Sequence, residues 1–177
     1  METSLIVAVT ENKVIGDSKA SGLLWSIKDD LKLFKSLTAN KMMVVGHKTY
    51  KQLPIKMKAA DKTREYAIIS RKPIRVNIVD NKSISCSSLP FLMNSKLSKD
   101  LIIIGGKQIY EEALTKCEEL IKVIYVTRIK DGGSIQGDLT LDIDKWLVNY
   151  SLEEVSQYPK SERNQFAFEA QVWKRRP

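Results

Sequence analysis

The sequence predicts an α/β fold in a single domain, residues 1–177, with a largely parallel central sheet. Three observations carry that expectation. Short apolar runs rich in Val, Ile and Tyr recur along the chain, too short for helices and suited to buried strands. Stretches with helical spacing alternate with them, the pattern of strand–helix–strand units. No internal repeat and no long linker divides the 177 residues.

The strand-like runs are Leu5–Val9, Met42–Val45, Tyr66–Ile69, Val76–Val79, Leu101–Ile104 and Val123–Thr127. Phe166–Trp173 is also strand-like and suits an antiparallel edge. The first helix is expected over Ser26–Leu37, where Ile27, Leu31, Phe34 and Leu37 share a face and Leu33 sits at its edge. Ser26 is a suitable N-cap, and Asp29 three residues later makes a weak capping box. A short helix over Lys48–Leu53 is stopped by Pro54, and a weak one covers Ser88–Asn94. Lys107–Thr115 is clearer, with Ile109, Tyr110, Ala113 and Leu114 on one side. Lys56–Lys62 and Lys130–Gly137 read as exposed polar loops.

Composition removes several kinds of chemistry. Two cysteines, Cys86 and Cys117, provide neither a disulfide framework nor a CxxC spacing. The single histidine, His47, argues against histidine triads and zinc sites, so no metal centre is expected. The run Leu5–Val9 is too short to span a membrane, and no basic segment precedes it. A soluble, cytoplasmic setting is the default expectation. The formal charge of +8 suits an anionic partner, either nucleic acid or a small polyanion.

Asp30 breaks the pattern of its helix. It lies three residues after Ile27 and four before Phe34, inside the apolar face. A carboxylate turned toward a core is costly unless something pairs with it. Complementing the helix dipole explains Asp29 well and Asp30 poorly.

Three strand ends carry anion-binding chemistry. Ile104-Gly105-Gly106-Lys107-Gln108-Ile109-Tyr110 runs from a strand through a Gly-Gly turn into a helix start. Alone, that turn fits an ordinary strand–helix connection better than a ligand site. Gly46-His47-Lys48-Thr49 repeats the design, and Ser70-Arg71 ends another strand. Together they suit an extended phosphorylated ligand at the strand carboxyl ends. The loop Asp17–Gly22 is flanked by Gly16 and Gly22, which suit hinges of a lid as well as a plain surface loop.

In order and spacing these segments resemble dihydrofolate reductase. The matching stretches are Ser4–Val9, Val14–Gly16, Leu24-Trp25 with Asp30–Lys35, Gly46–Tyr50, Arg64, Ser70-Arg71, Ile104–Tyr110, Tyr125–Thr127 and Gly137-Asp138. Leu24 stands where the family usually has proline, Tyr50 where tryptophan is common, and Lys107 where many members have a third glycine. Arg64 follows Lys62-Thr63 rather than Pro-Gly.

The resemblance implies an eight-stranded, mostly parallel sheet with flanking helices and an antiparallel C-terminal edge strand. It implies NADPH as cofactor and 7,8-dihydrofolate as substrate, with antifolates as ligands. The product would be tetrahydrofolate, used in one-carbon metabolism and nucleotide synthesis. Asp30 would bond the pterin and promote protonation of N5, with Thr127 bonded to Asp30 and Trp25 in the catalytic set. Ile6, Val7, Leu31, Phe34 and Leu53 would line the substrate pocket, and Arg64 would pair with the glutamate tail. Ala8, Ile15 and Gly16 would touch the nicotinamide half. Gly46, His47, Lys48, Thr49, Ile104, Gly105, Gly106, Lys107, Gln108, Ile109 and Tyr110 would bind the cofactor, with His47, Lys48 and Thr49 holding phosphates and Ser70 and Arg71 reaching the 2′-phosphate. The family also implies a cis Gly105-Gly106 bond and a monomer in the cytoplasm. A related fold reducing another heterocycle, as in riboflavin synthesis, is disfavoured by Asp30. A nucleic-acid-binding protein is disfavoured because no RNP-like pattern accompanies the basic tail Lys174-Arg175-Arg176.

Overall fold

The computed structural model describes residues 1–54, 64–72 and 83–177. Its strands are β1 (Thr3–Thr10), β2 (Val14–Gly16), β3 (Met42–Gly46), β4 (Glu65–Ile69), β5 (Ser83–Cys86), β6 (Leu101–Gly105), β7 (Ile121–Lys130), β8 (Leu139–Thr140), β9 (Tyr150–Tyr158) and β10 (Ala167–Arg175). Helices are α1 (Lys28–Thr38), α2 (His47–Gln52), α3 (Leu89–Asn94), α4 (Lys107–Lys116) and α5 (Asp144–Leu147). Eight strands form one sheet in the order β5-β4-β3-β6-β1-β7-β10-β9, and β2 pairs with β8 separately. The pairs β5–β4, β4–β3, β3–β6 and β6–β1 are parallel. β10 runs antiparallel to both β7 and β9. The edge is therefore β9, and the C-terminal strand lies just inside it. The expected strand Val76–Val79 and the expected loop Lys56–Lys62 lie outside the described residues.

Strands covered on both faces read as unbroken apolar runs. Met43, Val44 and Val45 of β3 and Leu101, Ile102 and Ile103 of β6 are fully buried. By contrast β9 exposes most of its length, including Leu152 and Val155. Its mixed composition carries no apolar run, which is why sequence patterning misses it. β5 is missed for the same reason, since its Ser83-Ile84-Ser85-Cys86 is mostly polar.

The chain gathers into two compact units, Met1–Leu5 with Thr38–Ile121 and Ile6–Leu37 with Lys122–Pro177. In the first, Ile109, Tyr110, Ala113 and Leu114 of α4 are buried, as their spacing predicts. In the second, Val14, Trp25, Ile27, Ile129, Ile135 and Phe168 form a core joined by Ala8, Leu24 and Leu33. Tyr158 stacks on Phe168 with ring centroids 4.4 Å apart. Among the described residues, no helix is long and apolar enough to cross a membrane.

Three local expectations need correction. α1 begins at Lys28, so Ser26 lies before the helix and does not cap it. The face shared by Ile27, Leu31, Phe34 and Leu37 is not uniformly buried: Ile27 is 2% exposed but Leu31 is 43% exposed. Lys130–Gly137 is not simply an exposed loop. Ile135 joins the core, and buried Asp131 accepts backbone N–H bonds from Glu11 (3.2 Å) and Ile135 (2.9 Å).

Candidate active site

Asp30 occupies the first turn of α1, half-buried. Thr127, buried on β7, donates its hydroxyl to Asp30 Oδ1 at 2.6 Å. Burial raises the pKa of Asp30, because desolvation penalises the charged form, while the Thr127 hydrogen bond opposes the rise. This is a carboxylate whose charged form burial disfavours and which a neutral donor orients. Leu31 and Phe34 leave apolar surface open on the same helix. Trp25 is buried in the adjoining core, and its indole Nε1–H finds no hydrogen-bond partner among the described residues. A buried donor of that kind is paired in most proteins, so it marks a place where a polar ligand atom fits.

The start of α1 is held by a distant segment that sequence reasoning did not single out. The carbonyl of Arg163 accepts the Lys28 N–H at 3.0 Å. Asn164 Oδ1 accepts the Asp29 N–H at 3.1 Å, and Asn164 Nδ2 donates to Asp29 Oδ2 at 2.8 Å. Arg163 Nε donates to Asp29 Oδ1 at 3.0 Å. These bonds from Asn164 and Arg163 lower the pKa of Asp29. Ser26 pairs instead with Gln165, accepting its N–H at 3.0 Å and donating its own to Gln165 Oε1 at 3.0 Å. The only sequence signal was the polar stretch of residues 159–165 before the strand-like run Phe166–Trp173.

The loop after β2 is tied down as well. Gly16 is not a free hinge, because it pairs with Leu139 of β8. Ser18 donates its N–H to Asp138 Oδ1 at 2.7 Å, and its hydroxyl bonds the same carboxylate. Gly22 keeps the positive φ of +95° that suits glycine.

A second cluster lies in the other unit. β3 ends at Gly46 beside β6, with Val45 opposite Gly105. Each strand leads directly into a helix, α2 from Gly46 and α4 from Gly106, and neither N-cap is closed by a side-chain hydrogen bond. The Gly105-Gly106 bond is cis. A Cβ on Gly106 would come within 2.7 Å of Thr49 Oγ1, and one on Gly46 within 3.1 Å of Ile109 Cγ1. Both helix starts are thus packed together through glycine. Tyr110 donates its hydroxyl to the Ile104 carbonyl at 2.8 Å, and burial pushes its pKa up. His47 and Thr49 are half-buried, while Lys48, Arg71 and Gln108 are exposed. Ser70 turns its hydroxyl to the Lys72 carbonyl at 2.8 Å, and Lys107 lies 3.7 Å from Glu111. Leu53 is half-buried and Arg64 is 5% exposed in this same unit.

A family model described as dihydrofolate reductase matches residues 2–175. The chain belongs to the dihydrofolate reductase family. It is 27% identical to dihydrofolate reductase of Mycoplasma genitalium, over 89% of this chain and 98% of that protein. It is 31% identical to dihydrofolate reductase type 1 of Escherichia coli, over 68% of this chain and 72% of that one. Among solved structures, it superposes on dihydrofolate reductase from Enterococcus faecalis complexed with NADP(H) and RAB-propyl. The TM-score is 0.78 at 20% identity, covering 99% of this chain and 97% of that one. The family consists of NADPH-dependent oxidoreductases.

Against that background the expected residues divide cleanly. Ile6, Val7, Ala8, Ile15, Gly16, Trp25, Asp30, Leu31, Phe34 and Thr127 all belong to one unit. Gly46–Thr49, Leu53, Arg64, Ser70, Arg71 and Ile104–Tyr110 belong to the other. Within each, the structure brings together Asp30 with Thr127, and the glycine-packed ends of β3 and β6. The second cluster fits a dinucleotide phosphate by donor chemistry: helix-start N–H groups, a hydroxyl and cations. Among the described residues no His, Cys, Asp or Glu cluster has the makings of a metal site.

Proposed function

We propose that this chain reduces 7,8-dihydrofolate to 5,6,7,8-tetrahydrofolate with NADPH, supporting one-carbon metabolism and nucleotide synthesis. The Asp30–Thr127 pair carries the reading. A pterin presents an amino group and a ring N–H in one plane, and a carboxylate accepts both. Asp30 grips that edge, and Thr127 keeps the carboxylate in the plane of the ligand. Because burial raises its pKa, Asp30 exchanges a proton at pH values closer to neutrality than an exposed aspartate does. It therefore promotes protonation at N5 while the ring is held. Trp25 offers its buried N–H to the polar atoms around the pterin. When bound, NADPH supplies the hydride that reduces C6.

On the cofactor side, the amides at the starts of α2 and α4, with His47, Lys48 and Thr49, hold the diphosphate. Arg71 meets the 2′-phosphate, a role suited to a guanidinium. In one unit Ile6, Val7, Leu31 and Phe34 offer apolar surface to a ligand; in the other Leu53 does so, and Arg64 suits the glutamate tail.

The deciding measurement follows NADPH oxidation at 340 nm, about the nicotinamide absorption maximum, with and without dihydrofolate. Folate-dependent loss of NADPH is expected. Asp30→Asn, which keeps the shape and loses the ionisable group, slows hydride transfer by about 10²-fold or more, the scale of a lost acid–base group. NADPH affinity stays unchanged. Unaltered turnover at neutral pH in that variant would remove Asp30 from the mechanism.

A further inference from the structure

The first turn of α1 lacks a cap of its own. Helix N-termini leave donors unsatisfied, usually met by a Ser, Thr, Asp or Asn just before the helix. Here the residue before Lys28 is Ile27, whose side chain is apolar and only 2% exposed. Ile27 forms an isolated antiparallel bridge with Asn164. The Lys28 and Asp29 donors are instead met by the Arg163 carbonyl and Asn164 Oδ1.

Asn164 is built for this position. It is 1% exposed, and both ends of its side-chain amide are engaged. Its own backbone closes a turn with Ser161, donating at 3.2 Å and accepting at 3.0 Å. Arg163 reaches the Asp29 carboxylate from the same turn, and Gln165 of that turn bonds the Ser26 backbone through its own N–H and its side-chain Oε1. Three residues of one hairpin turn, Arg163, Asn164 and Gln165, thus clasp Ser26–Asp29, and Asp30 is the next residue. Asp29 is occupied by donors on both oxygens, leaving Asp30 as the carboxylate presented to a ligand.

We infer that Asn164, acting through Asp29 and assisted by Arg163, is the positioning residue that sets the placement of Asp30. The inference rests on the role given to Asp30 above. Asn164 touches no reacting atom in this scheme. It aligns the helix turn from which Asp30 projects, and a misplacement of about 1 Å at a reacting group costs up to 10²-fold in rate.

The test is single-turnover hydride transfer, with the rate expressed per active site titrated by burst amplitude. Asn164→Ala and Asp29→Ala each lower that rate about 10-fold or more. The double variant is no slower than the slower single one, as two residues acting in one contact require. Asn164→Ser, which keeps an acceptor for the Asp29 N–H, recovers part of the rate. NADPH affinity, measured by fluorescence, is unchanged throughout. A purely structural role would reduce the number of active sites and leave the rate per site intact, and that result overturns the inference. Additive losses in the double variant overturn it too. If Asn164→Ala does not fold, Arg163→Ala carries the test, since its side chain is exposed. A lowered rate per site in Arg163→Ala supports the inference, and a wild-type rate overturns it. Asp30→Asn in the same assay separates the two ideas. Loss there with wild-type rates in the Asn164 and Asp29 variants sinks only the positioning role, whereas retention there sinks the reading of Asp30 itself.

Discussion

Two neighbouring aspartates, Asp29 and Asp30, share one helix turn and have opposite environments. Asn164 and Arg163 hold Asp29 below the usual carboxylate range, while burial raises Asp30. The stability consequence of Asp30 follows in sign. A carboxyl whose folded pKa is raised binds more protons in the native state, so stability falls as pH climbs through the window. That window opens near the unfolded value of about 3.9 and closes at the raised folded value. Asp30→Asn removes the penalty. The variant is expected to melt above wild type at pH 7, by about 2–4 °C for each kcal/mol recovered in a chain of this size. The advantage should shrink toward pH 3, where Asp30 is protonated in both states. Differential scanning calorimetry across pH checks it, and a constant offset would contradict the burial argument. Sequence periodicity located the anomaly at Asp30, because a carboxylate interrupts an apolar stripe. It said nothing of Thr127, which is 97 residues away.

At the scale of elements, glycine decides how the strand ends are built. Gly105 has φ +112°, and a Cβ there would lie 2.9 Å from Tyr110 Cε2. Gly105→Ala combines a disfavoured backbone with crowding against a ring anchored to the Ile104 carbonyl. We expect it to cost about 1–3 kcal/mol of stability and to weaken NADPH binding. Gly22→Ala makes a useful comparison, since Gly22 also has positive φ but a Cβ there meets nothing within 4 Å. Thermal denaturation of both should rank Gly105→Ala as the more damaging, and the reverse order would show that side-chain crowding is minor. The Gly-Gly turn was legible in sequence, and so was its helix. The capping of α1 was not. Local rules assigned it to Ser26, whereas the donors are met by a turn that folds back from more than 130 residues along the chain.

For the whole molecule, the formal charge of +8 is the property most directly read from composition. A cationic surface attracts a polyanionic ligand over distances set by the Debye length, about 10 Å at 0.1 M salt. NADPH association, measured by stopped flow, should slow several-fold between about 20 and 200 mM salt, with dissociation changing less. An association rate insensitive to salt would show that net charge does not steer the cofactor. The alternation of strand and helix, the buried runs of β3 and β6 and the residue types at the strand ends can all be read from the order of amino acids. Those depend on local periodicity and composition. That β9 forms the sheet edge and that Asn164 rather than Ser26 caps the helix emerge from the folded structure alone, whereas the Asp30–Thr127 bond was implied by the family resemblance and not by local periodicity. The cap joins segments remote in sequence, and the edge is the outer strand of a hairpin and carries no apolar run, so packing and hydrogen-bond satisfaction in three dimensions decide both where no local pattern does.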